Sequence, residues 1–182
     1  SPATSIRRVL SRLSYRWRRR FDAAADELAK HFAAQAAQRS TASLEAILRK
    51  GGFSVKFRTS RAVNDILQAT VAENVALIRS IPQQHLTAVE GHVMRSVQAG
   101  RDLKSLSDAL QQQFGVTKRR AAFISLDQNN KCTAAIQRAR QIELGLETAQ
   151  WLHSGGGRHP RPTHVKAGRD RVVYNVREGW WD

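Results

Sequence analysis

Apolar residues recur three and four positions apart from the first turns of this chain: Ile6, Val9, Leu10, Leu13, Trp17, Phe21, Ala24, Leu28 and Phe32. At 3.6 residues per turn this spacing keeps them on one side of an α-helix, whereas a strand would scatter them over both faces. The first element is therefore a helix to about Gln38, with its large apolar side chains turned inward. A second short helix takes Leu44 to Lys50 and stops at Gly51-Gly52. Phe53-Ser54-Val55-Lys56-Phe57 alternates apolar and polar and reads as an extended segment or only a linker. Ser60 or Asn64 caps the next helix, whose stripe is Ile66, Leu67, Val71, Val75, Ile78 and Ile81. Pro82 ends or kinks it, because proline has no N–H to donate. Leu86, Val89, Val93, Met94 and Val97 form another helix, closed by Gly100. Leu103, Leu106, Leu110 and Phe114 face inward from a helix over 102–114. Gly115-Val116-Thr117 reads as a turn, with Thr117 capping a last helix through Ile124, Cys132 and Ile136 to about Gly145.

The texture then changes to glycine, proline, histidine and arginine. Thr148–His153 and Arg171–Val176 read as strands that pair across this loop as a hairpin. The expected fold class is α+β, mainly helical with a small C-terminal β-hairpin. It divides into a basic helical region over 1–100 and a C-terminal module over 101–182.

Charge decides the class of partner. The net charge is +15 and hydrophobic content is 41%, so the chain is globular and strongly basic. No apolar run approaches the roughly 20 residues of a membrane span. The single cysteine, Cys132, excludes an intramolecular disulfide and fits a reducing compartment. Ser1 to Phe21 is arginine-rich like a mitochondrial presequence. However, it lacks the apolar core of a secretory signal, and its helical rhythm continues unbroken past Phe21. Seven arginines and no acid occupy the first twenty residues. Arg7, Arg8, Arg12, Arg16, Arg19 and Arg20 are candidates to meet either phosphates or an acidic protein surface, with Tyr15, Trp17 and Phe21 interleaved. No base-reading motif accompanies them, so double-stranded DNA would be bound independently of sequence. Lys118, Arg119 and Arg120 could open the second helix of a helix-turn-helix, but ordinary helix pairs share that pattern.

The C-terminal loop holds His153, His159 and His164. Their spacing matches no standard zinc motif, no carboxylate lies among them, and Arg158 and Arg161 would repel a dication. Imidazoles beside guanidinium groups also suit metal-free RNA cleavage, the second functional class considered. Ser154-Gly155-Gly156-Gly157 lacks the helix and Lys-Ser or Lys-Thr pair of a phosphate loop. Trp180-Trp181 is an apolar pair that either tucks into the domain or forms a contact.

Trp151, the glycine-rich turn, Arg161-Pro162-Thr163-His164 and Gly168 together resemble the C-terminal signature of the phage Mu protein F-like minor head proteins, the phage head morphogenesis family. The specific part of the resemblance covers about Gly115 to Val176. It implies a structural protein of the virion, made in the bacterial cytoplasm and associated with phage portal and capsid proteins. Such a protein supports procapsid assembly and DNA packaging or delivery, with no reaction, cofactor or metal. Trp151, Arg161, Pro162, His164 and Gly168 are then the family motif. Many members continue into an Asn-Cys-Arg-Cys-like element that is absent before Asp182, which implies a truncated or short variant. Some head proteins of this type are fused to toxins, which keeps a histidine-dependent ribonuclease-like toxin domain as the alternative.

Overall fold

The computed structural model describes residues 2–100, 102–153, 155 and 159–179. Three long helices run back and forth along one another: α1 (Pro2–Lys50), α2 (Arg61–Gln98) and α3 (Leu103–Glu143). A short strand β1 (Thr148–Gln150), a helix α4 (Pro162–Arg169) and a strand β2 (Val173–Asn175) follow. The fold is thus mainly helical α+β, with a two-stranded antiparallel sheet near the C-terminus. At 1.5 Å per residue α1 is about 73 Å long. The boundary expected at residue 101 falls in the α2–α3 connection, and α3 packs along both α1 and α2.

Several local stops are overridden. α1 runs unbroken through 38–44, where Ser40 is buried and its hydroxyl donates to the Thr133 carbonyl (3.5 Å). α2 continues through Pro82, which is buried. A proline inside a helix costs about 3 kcal/mol, and a helix held along its length by two neighbours absorbs that. α3 continues through Gly115, whose cost against alanine is only about 1 kcal/mol. Thr117 caps nothing; its hydroxyl donates to the Gln113 carbonyl one turn back (3.0 Å). Ser60, and not Asn64, caps α2 by accepting from Val63 N (3.2 Å).

The buried face of α1 also differs from the expected one. Ser14, Ala25, Ala29, Ala33, Ala36 and Ser40 are buried, whereas Leu13, Trp17 and Leu28 are exposed. Small side chains let helix axes approach, so the alanine row meets its neighbours and the large residues stand beside the seam. On α3, Leu103 and Phe114 are exposed as well, against the inward placement expected. A buried apolar core joins Ala36, Val63, Cys132, Ile136 and Ala139.

That core lies near the α1–α2 connection, where Phe53–Phe57 forms no strand. Arg140, 4% exposed, ties this connection to α3. Its Nη1 donates to the Arg58 carbonyl and to Glu143 Oε2 (2.9 Å), and its guanidinium lies 4.8 Å from the Phe57 ring centroid. Phe57 N donates to Glu45 Oε1 (3.0 Å). A hydrogen bond from Ser60, and then Arg140, hold the Glu143 carboxyl below its usual range.

The terminal module is a hairpin with a helix in its connection. Thr148 pairs with Asn175, Ala149 with Tyr174 and Gln150 with Val173. The strands are shorter than expected, and α4 replaces part of the expected loop. Pro162 opens α4 at its first turn, where a missing N–H costs nothing. Ser154, Gly156, Gly157, Arg158 and the Trp180-Trp181 pair lie outside the described residues.

Candidate nucleic-acid and partner interface

The arginine block divides by helix geometry. With about 100° per residue, Arg8, Arg12, Arg16 and Arg19 fall within roughly 80° of one another on α1. The buried alanine row occupies a different side of that helix. The stripe is therefore on the outside of the bundle, and all four side chains are exposed. Among the described residues no carboxylate pairs with Arg8, Arg12, Arg16 or Arg19. Arg7 is set apart: it faces α2 and meets Glu90 (3.8 Å). Arg19 lies over the Tyr15 ring (5.8 Å to the centroid) and Arg20 over Trp17 (5.4 Å). These aromatic faces hold two guanidinium groups without neutralising them.

The nearest acids along α1 do not offset the stripe. Asp22 and Asp26, the first acids along α1, are turned to Arg79 of α2 (3.5 and 3.7 Å). From Arg8 to Arg19 the stripe is about 16 Å long, the length of roughly five base pairs at 3.4 Å each. An anionic polymer or an acidic protein face is what such an array can hold.

The histidine-bearing motif is built differently. Trp151 continues β1, its N–H donating to the Val172 carbonyl (2.7 Å). The indole Nε1 reaches across to the His164 carbonyl in α4 (3.1 Å), and the two rings meet edge to face (5.0 Å, 76°). Gly168, one turn further along α4, backs onto His153. A Cβ there would lie 2.5 Å from His153 Cβ and 3.0 Å from its backbone nitrogen, so only glycine fits. Ala167 is buried and its carbonyl accepts from Val172 N (3.0 Å). Arg171 turns the chain into β2 with a positive φ of 51°, uncommon for a side chain of its size. The 151–153 segment thus packs on α4 through Trp151 against His164 and His153 against Gly168, with Pro162 starting that helix and Arg161 exposed at the cap position.

The three histidines make different contacts. His153 Nδ1 accepts from Gly155 N (3.1 Å), His164 packs on Trp151, and His159 is exposed. Among the described residues no group of histidine, cysteine and carboxylates is arranged to hold a metal. Among the same residues no helix is long and apolar enough to cross a membrane. The Cys132 thiol is buried, and desolvation raises its pKa. The module leans on the end of α3, where Trp151, Tyr174 and Val176 line a cleft with Ala134, Gln137 and Gln141. The arginine stripe lies at the far end of the bundle, about 40 Å away along α3.

Arg140 and α4 escape sequence reasoning. Arg140 reads as one more cation on a polar helix face, and nothing local marks its burial. For α4 a signal exists: Arg161-Pro162 followed by Thr163 to Ala167 has proline where a helix begins.

No protein-family model matches this chain. No solved structure matches it. An uncharacterized protein of Haemophilus influenzae is 34% identical over 101 residues, which is 56% of this chain and 23% of that protein. The chain spans about a quarter of the length of the curated relative it matches.

Proposed function

We propose that this chain acts as a phage minor head protein. In this reading it associates with the portal or inner capsid and supports procapsid assembly and DNA packaging or delivery. The observation that carries the reading is the pair of contacts between the 151–153 segment and α4, Trp151 with His164 and His153 with Gly168. Trp151, His164 and Gly168 are three of the residues of the resemblance to the head morphogenesis family; Trp151 meets His164, and Gly168 packs on His153 two residues from Trp151. A motif whose members shape one another is a unit of recognition in a way that scattered matches are not. The arginine stripe supplies sequence-independent affinity for DNA or for an acidic portal surface. The role needs no reaction, cofactor or metal. Its setting is the virion and, during assembly, the bacterial cytoplasm.

The test is co-expression with the portal and capsid proteins of a Mu-type phage, followed by sedimentation of procapsids. The chain should travel with them and be found inside purified heads. Its absence from procapsids at every ionic strength would overturn the proposal. So would metal-free degradation of RNA by the purified chain that His164→Ala abolishes.

A further inference from the structure

Two clefts run end to end between α1 and α3, floored by α2. The first, of about 470 Å³, is lined by Leu28, Phe32, Asn74, Ile78 and Ile124. The second, of about 410 Å³, is walled by Trp17, Phe21, Pro82, Leu86 and Phe114. Ile81 lines both, so they form one trough. From Trp17 to Arg39 it follows about 33 Å of α1. Trp17 is 47% exposed, Leu28 52% and Phe114 65%. A continuous apolar trough with large side chains open to water marks a contact site.

The shape and rim choose the occupant. Three helices with an open lengthwise groove are a four-helix bundle lacking one member, and an amphipathic helix fits such a groove. The rim is mainly basic: Arg16 and Arg20 border Trp17, Arg39 lines the other end, and Lys118 follows the lining residue Thr117. Of the acids on this stretch of α1, Asp22 and Asp26 are engaged by Arg79, which leaves Glu27. In the floor, Asn74 is 5% exposed and its Nδ2 has no acceptor among the described residues. A second copy of a chain carrying +15 would be repelled at this rim.

We infer that the trough between α1 and α3 is the docking site for an acidic amphipathic helix of a partner protein, about 22 residues long. Its leucine-like residues replace the missing fourth helix, and its carboxylates meet Arg20, Arg39 and Lys118. The site shares Arg16 with the outward arginine stripe but is otherwise separate from it, and it does not depend on the minor-head reading.

The probe is a fluorescein-labelled peptide of about 22 residues with leucine at helical three- and four-residue spacing and glutamate elsewhere. Binding to the full chain is read by fluorescence polarisation, and helix gain by circular dichroism. Saturable binding with added helicity is expected. Trp17→Gln with Phe114→Gln, both exposed positions, should weaken it about tenfold or more. Phe123→Gln, on another face of α3, and R8Q/R12Q/R19Q on the stripe should change it less than about threefold. The inference is overturned if no saturable binding occurs or if a scrambled peptide of the same composition binds equally. It is also overturned if the stripe variant loses binding while the trough variant keeps it. Self-association in sedimentation that Trp17→Gln removes would make a second copy the occupant and would equally overturn it.

Discussion

The indole Nε1 of Trp151 donates to the main-chain carbonyl of His164 at 3.1 Å while the His164 ring stands edge-on to the indole. One residue thus clamps β1 to α4 by both a hydrogen bond and an aromatic contact. Trp151→Phe keeps the ring and loses the donor, which should cost about 1 kcal/mol in urea unfolding. Trp151→Ala should cost about 2–3 kcal/mol, less than full burial would give because the ring is half-buried. If both substitutions left the urea midpoint unchanged, the clamp would have no structural role.

Gly168→Ala should loosen the module without melting the bundle. The added methyl meets His153 Cβ and backbone at once, and a main chain cannot swing aside as a flexible side chain can. A cost of about 1–3 kcal/mol is expected. Amide exchange should accelerate at Trp151 and Val172 and stay slow in the core around Ile136. Uniform acceleration along the whole chain would instead mean that the module and bundle unfold together.

The Ser60–Glu143–Arg140 group predicts an acid-dependent stability. Hydrogen bonds from Ser60 and Arg140 lower the folded-state pKa of Glu143 below the usual carboxylate range. Their stabilisation is therefore present above the unfolded pKa and is lost as pH falls through the lower, folded one. Glu143→Gln should lower the melting temperature at neutral pH, and its gap from the parent should close in acid below that folded pKa. A gap that stays constant from neutral pH down to strong acid would remove this linkage.

DNA binding should follow the stripe. With about four phosphates engaged, log affinity should fall against log salt with a slope of roughly −3 to −4. Glutamine at Arg8, Arg12, Arg16 and Arg19 should flatten most of that slope. Arg7→Gln should change it less, because Glu90 already opposes that charge. Equal low-salt affinity of the fourfold variant and the parent on a random duplex would rule out the stripe as the DNA contact.

Cys132 should be inert in the native protein. Burial at 2% exposure and a raised pKa keep the thiol neutral and out of reach. A disulfide-exchange reagent should modify it slowly in buffer and rapidly in urea; equal rates would mean an open core.

Near-neighbour physics alone determines much of this molecule. The three- and four-residue spacing of apolar side chains makes the helices, Ser60 and Asp102 cap two of them, and the register of β1 with β2 falls within the stretches that read as strands. Each depends on contacts within a few residues or on backbone chemistry that travels with the residue. The clustering of positive charge on the first turns of α1 is likewise legible, since it needs only the helical period. Tertiary packing decided what local rules could not. It chose the row of Ala25, Ala29, Ala33 and Ala36 over Leu13, Trp17 and Leu28, because three long helices approach most closely over small side chains. It carried α2 through Pro82 and α3 through Gly115, because contacts along a whole helix outweigh a local penalty of about 1–3 kcal/mol. It also gave Arg140 a carbonyl partner 82 positions away in the chain, and it brought Trp151, His153, His164 and Gly168 together. Partners so far apart meet only when the intervening chain has already been placed, and the spacing of residues along the chain carries no record of it.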